Sequence, residues 1–189
     1  MASDLKEAQD AGLGRRERSA GETEELDALR LLYDTPARKE ARPRVPRRAI
    51  HAPAVLNEAY HYPQPVSFSR GLRVEMGSHS LLFISGTASV DEQGRSIHVG
   101  DFRAQCWRTY RNITRLLAGE GADWHDVVRC TCYLRDIERD YREFNDVRTT
   151  FFSWLALDPF PASVGVQARL CREDLLVEVE ALAVLRRDP

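Results

Sequence analysis

The sequence predicts an α+β domain, one mixed sheet with two helices on one of its faces, behind a polar N-terminal extension. Two observations carry this. Past residue 60, short segments with apolar residues at every second position alternate with two longer segments whose apolar residues recur every three or four. Composition also changes near that point, so the expected division is an extension over 1–60 and a domain over 61–189.

A chain of 189 residues holds one domain with a sizeable core but not two comfortable ones. With 43% hydrophobic and 30% charged residues, wholesale disorder is excluded. A net charge of −2 gives no overall attraction to nucleic acid or to an anionic membrane. No apolar run approaches the roughly 20 residues of a membrane span. The opening MASDLKEAQDAGLG lacks the basic-then-apolar pattern of a secretory signal, and the expected location is cytoplasmic. Cys106, Cys130, Cys132 and Cys171 lack the spacing of a disulfide framework and read as free thiols.

The extension carries one helical candidate, GETEELDALRLLYD, with Leu26, Leu29, Leu32 and Tyr33 on one face. From Thr35 to Ala49 come six Lys/Arg and three Pro. Proline blocks both helix and ladder, so this reads as an extended basic arm. Its charges have no interleaved aromatics, which favours a solvated tether over a nucleic-acid contact.

In the domain, Leu72–Met76 and Ser80–Ser85 flank Gly77-Ser78 as a hairpin. Gly100-Asp101 caps a helix whose core face is Phe102, Cys106, Tyr110, Ile113 and Leu117, ending near Gly119. Val128, Cys130, Cys132 and Leu134 alternate as one apolar strand face. A second helix carries Phe144, Val147, Phe151 and Leu155, and strands follow over 164–170 and 175–184. If Leu175, Val177, Val179, Ala181 and Ala183 face the helices, then Leu176, Glu178, Glu180, Leu182 and Val184 face away. An apolar sheet face without a helix needs a partner, and another copy of the same face is the simplest one. This predicts an oligomer with Glu178 and Glu180 in or beside the subunit interface.

Several short motifs then accumulate in order: Phe83-Ile84-Ser85-Gly86, Gly100-Asp101, Asn112-Ile113, Asp126-Val127-Val128, Asn145 before Phe151-Phe152, Pro161-Ala162, Ala168-Arg169-Leu170, and Val177-Glu178-Val179-Glu180-Ala181. In this order and spacing the C-terminal ~125 residues resemble the Rid/YjgF family of reactive intermediate deaminases. The resemblance implies a chorismate-mutase-like fold, a homotrimer with clefts between subunits, and cofactor-independent hydrolysis of 2-imino or 2-enamino acids to 2-keto acids and ammonia. It implies that Glu178 orients or activates water, and that an arginine after the Pro-Ala pair holds the substrate carboxylate. In this chain Ser163 follows Pro161-Ala162, and Phe68-Ser69-Arg70-Gly71 stands for the family's Tyr-Ser-Gln-Ala stretch. Gly86-Thr87-Ala88-Ser89 and the segment from Cys171 to Glu178 are also similar to the C-terminal half of the chorismatases, Rid-related hydrolases.

The expected site is therefore Glu178 as the catalytic group, with Arg169, Asn145, Phe68, Arg70, Gly86 and Ser163 binding substrate. Arg169 or Arg70 stands in for the missing arginine. Each has a structural alternative: the glutamates as solvated strand residues, Arg169 as their ion-pair partner, Asn145 as a helix pin. Cys130-Thr131-Cys132 reads as buried core, and no metal or other cofactor is expected. Two functions stay open: a cofactor-independent hydrolase or deaminase of a small enamine, imine or enol-ether acid, and a non-catalytic trimeric metabolite-binding protein.

Overall fold

A computed structural model of the chain describes residues 17–33, 43–62 and 66–186. Contacts divide the chain into two units, one over 1–45 and one beginning at Pro46. In the first, α1 (Ala20–Tyr33) is a single helix. Ser19 and Glu22 close its first turn reciprocally, each side chain accepting from the other's backbone N–H at 3.1 and 2.8 Å. Leu29 and Leu32 on its apolar stripe are exposed. Residues 34–42 of the predicted arm lie outside the described residues.

The second unit contains a six-stranded sheet in the order β1-β2-β3-β6-β4-β5. The strands are β1 (Arg47–Ala49), β2 (Gly71–Met76), β3 (His79–Ala88), β4 (Val127–Leu134), β5 (Ala162–Gln167) and β6 (Val177–Arg186). All neighbours are antiparallel except β4 and β5, whose parallel pairing requires the crossover supplied by a helix. That helix is α3 (Ile137–Trp154), and α2 (Phe102–Ala118) joins β3 to β4. From β2 onward the predicted element order holds. No helix among the described residues is long and apolar enough to cross a membrane.

Helix α2 starts where Asp101 accepts a hydrogen bond from the Ala104 amide at 2.9 Å, and it ends at Gly119. Its predicted core face is fully buried, as are Phe144, Val147 and Phe151 of α3. The rings of Tyr110 and Phe151 stack at 4.8 Å, joining the two helices. Under them lie Leu82 and Ile84 of β3, Cys130, Cys132 and Leu134 of β4, and Val177, Val179, Ala181, Ala183 and Leu185 of β6.

Two expectations need correction. The domain begins at Pro46, not at residue 61. Arg47–Ala49 pair with β2, because the last proline of the arm is Pro46 and the next three residues all keep their N–H groups. Ile50, Leu56 and Ala59 then sit in the core at 1%, 0% and 0% exposure. Second, Val128 is not on the core face of its strand. A register shift between Val127 and Arg129 turns Val127 inward and leaves Val128 exposed.

Among the described residues of the second unit, no helix covers the far side of the sheet. Its cross-strand rows are Leu72, Phe83, Leu182 and Arg129; Val74, Leu81 and Val184; Glu180, Thr131 and Val164; and Glu178, Tyr133 and Val166. Leu72, Phe83, Val164 and Val166 are exposed there, Phe83 at 46%.

Candidate functional site

The site grows out of an irregularity in β3. The β3–β6 register shifts between Ile84 and Thr87, so Ser85 and Gly86 leave the regular ladder opposite β6. Ser85 is fixed by its amide to the Arg70 carbonyl and by its hydroxyl to the Ser69 carbonyl, at 3.1 and 2.7 Å. Gly86 then lies directly beneath Glu178. A Cβ at residue 86 would sit 1.9 Å from Glu178 Oε1, so the carboxylate occupies space that only glycine leaves open.

Glu178 lines a cleft of about 630 Å³, together with Tyr62, Phe68, Arg70, Val90, Arg172 and Leu175 among others. Burial raises its pKa above the ordinary glutamate value, the Glu180 carboxylate adds to the rise, and Arg172 opposes it. Glu180 is exposed on the same face and accepts a hydrogen bond from Tyr133 Oη at 3.0 Å. Alternation along β6 thus puts both acids on the open face but in different surroundings: one in the cleft, one on the surface.

Polar residues of α2 hold the cleft walls. Asn112, fully buried, donates to the carbonyls of Ala88 and Val90 at 3.0 and 3.1 Å. Arg108 Nε reaches the Val90 carbonyl at 3.1 Å. Gln105 donates to the Asp174 carbonyl and accepts from the Leu176 amide, both at 2.8 Å. Arg135 binds the carbonyls of Leu175 and Arg172 from the other side. These side-chain hydrogen bonds to backbone groups pin both cleft loops before any ligand arrives.

Of the residues expected from sequence, Glu178, Phe68, Arg70 and Gly86 meet in this cleft. Asn145 and Ser163 form a separate cluster. Arg148 donates to Asn145 Oδ1 at 2.5 Å and to Ser163 Oγ at 3.1 Å, with its guanidinium 5.3 Å from the Phe144 ring centroid. The serine in the arginine's place is therefore contacted by an arginine from α3. Arg169 is exposed past the end of β5 and is not among the residues lining the cleft. Burial also pushes the thiol of Cys130 up to about 12, and that of Cys132 up as well, in keeping with inert core cysteines.

Sequence reasoning missed Tyr62 and Arg172. Tyr62 precedes the first strand that periodicity could detect. Arg172 lies in a loop where spacing carries no information, and its only signal was its place just after Cys171 in the stretch leading to Glu178.

The chain thus presents an open-faced α+β sheet with a carboxylate in a cleft. Residues 63–185 match the family described as endoribonuclease L-PSP, and the chain belongs to that Rid/YjgF family. A RutC family protein of Pyrococcus abyssi is 31% identical over 122 residues, spanning 64% of this chain and 89% of its own. The 3-aminoacrylate deaminase RutC of Acinetobacter baylyi is 31% identical over 104 residues, 55% of this chain and 79% of its own. Among solved structures, the YjgF gene product of E. coli superposes with a TM-score of 0.59 at 24% identity, covering 74% of this chain and 99% of that one, which establishes the shared fold.

Proposed function

We propose that this protein is a cofactor-independent hydrolase of a small imine, enamine or enol-ether acid, working as a homotrimer. The observation that carries the reading is the Glu178 carboxylate, seated over Gly86 in an apolar-walled cleft. A carboxylate whose proton affinity is raised by burial is suited to proton transfer near neutral pH. For an imino acid, Glu178 takes a proton from water as its oxygen adds to C2. Glu178 returns that proton to the nitrogen, giving the carbinolamine, then takes the hydroxyl proton and passes it to the amino group, which leaves as ammonia while the C2 carbonyl forms. Water and imino acid become keto acid and ammonia, and the carboxyl group ends as it began. The activity named for the Acinetobacter relative supports this chemistry.

The uncovered face supports the trimer: Leu72, Phe83, Leu182 and Val184 form an apolar surface that copies of the same face would cover. In that assembly Arg169 and the Asn145–Arg148–Ser163 cluster are available to complete a neighbour's cleft. Ser163 in the arginine position favours a second reading, a trimeric metabolite-binding protein without turnover.

Freshly generated 2-aminoacrylate, with keto acid and ammonia followed together, separates the two. The hydrolase predicts release well above the uncatalysed rate, abolished in Glu178→Gln. Release at background leaves the binding protein. Light scattering should give three times the 21.5 kDa chain mass; a monomer at micromolar concentration sinks the trimer.

A further inference from the structure

The cleft holds two guanidinium groups, and both are bound only to neutral oxygens. Arg70, 4% exposed, donates through Nε and Nη2 to the Asn57 carbonyl and through Nη2 to the Tyr62 hydroxyl. Arg172 donates through Nη1 to the Gly94 carbonyl and Ser96 Oγ. Neither forms an ion pair with a carboxylate among the described residues. A cation this buried costs free energy unless an anion lies against it.

Tyr62 sets the two charges as a pair. The guanidinium carbons of Arg70 and Arg172 lie 5.0 and 5.4 Å from its ring centroid. The ring itself is seated against Gly94, whose φ is +78° and where a Cβ would come within 2.7 Å of Tyr62 Cε1. N–H groups remain for a ligand: Nη1 of Arg70, and Nε and Nη2 of Arg172, have no hydrogen-bond partner among the described residues. The other walls are apolar, from Val66, Phe68, Ala88, Val90 and Leu175. Glu178 is the only acid among the lining residues.

We propose that the cleft selects a small dicarboxylic acid, one carboxylate on Arg70, the other on Arg172, and the body of the ligand along Phe68, Val90 and Leu175. This rests on reading the cleft as the substrate site and names the class of substrate. A monocarboxylate leaves the free N–H groups of one guanidinium without a carboxylate to accept from them.

The test is calorimetric titration of the full chain at low salt with 2-oxobutanoate, which has one carboxylate, and with 2-oxoglutarate and fumarate, which have two. The dicarboxylates bind roughly tenfold or more tightly, the worth of one further charge-assisted contact. Arg172→Gln, at a half-buried loop residue, reduces the advantage to less than about twofold, and Arg172→Lys restores part of it because lysine keeps the charge without the fork. Equal affinities for the two classes, or a preference that survives Arg172→Gln in a folded protein, overturn the proposal. Selectivity without turnover on any imino acid instead overturns the hydrolase reading and leaves this one standing.

Discussion

The two faces of β6 are made by one strand, yet the chain treats them differently. Val177, Val179, Ala181, Ala183 and Leu185 are buried under α2 and α3, which the same chain supplies. Glu178, Glu180, Leu182 and Val184 alternate with them on a face for which the domain supplies no helix. The closed face is a finished core, where each side chain is already in contact with close-packed neighbours. The open face mixes aliphatic residues with two acids, a combination that suits subunit contact and ligand chemistry better than solvent. The proposed function collects on the side that the fold leaves unfinished.

That contrast can be broken most severely at the closed face and its lid. Removing residues 1–58 takes away β1 together with Ile50, Val55 and Leu56, so the protein should fail to fold, as read by loss of a cooperative melt. Removing only 1–45 should leave Tm within about 2 °C, since the second unit begins at Pro46. Equal behaviour of the two truncations would show the boundary to be misplaced. Phe144→Ala, at a fully buried ring, should lower stability by about 3–5 kcal/mol in chemical denaturation.

At the open face, Leu182→Glu should disperse the oligomer by light scattering while the far-ultraviolet dichroism of the subunit stays native. A trimer that survives this substitution would move the interface elsewhere.

Glu178→Gln sharpens the comparison at one residue. Glu178's pKa lies above that of a free glutamate, about 4.3. Its contribution to stability is therefore full below that value and lost as pH rises through the higher folded one. The glutamine protein should match the wild type in Tm near pH 4 and exceed it at pH 7, by roughly 2–4 °C for each kcal/mol relieved, while losing turnover. A lower Tm at pH 7 would show that the carboxylate is stabilised by its surroundings.

The smallest effect is expected at Ser163→Arg. Arg148 already donates to the Ser163 hydroxyl, so a second guanidinium meets like charge, and affinity for 2-keto acids should gain less than about twofold. A large gain by titration would show the position open to a ligand.

Most of the architecture was legible from periodicity. The 3.6-residue spacing of Phe102, Cys106, Tyr110, Ile113 and Leu117 fixed both the existence of α2 and its buried face, because a helix can hide only one stripe. Alternation along β6 put Glu178 and Glu180 together on the face away from the helices, since side chains on a strand change sides at every residue. What local pattern could not reveal was contact between distant segments. Three residues of β1 are too short a run to signal a strand, and only pairing with β2 makes them one. The bulge that seats Gly86 under Glu178 depends on the β3–β6 register, which no single segment specifies. Tyr62 and Arg70 are neighbours along the chain, but Arg172 reaches them from a distant loop where spacing carries no periodic signal. The sequence by itself determined the buried faces of α2 and β6 and on which face the acids lie, because those follow from local backbone geometry. Only the tertiary structure decided which arginines surround Glu178, because that depends on where loops of no regular period are pinned by the buried side chains of α2.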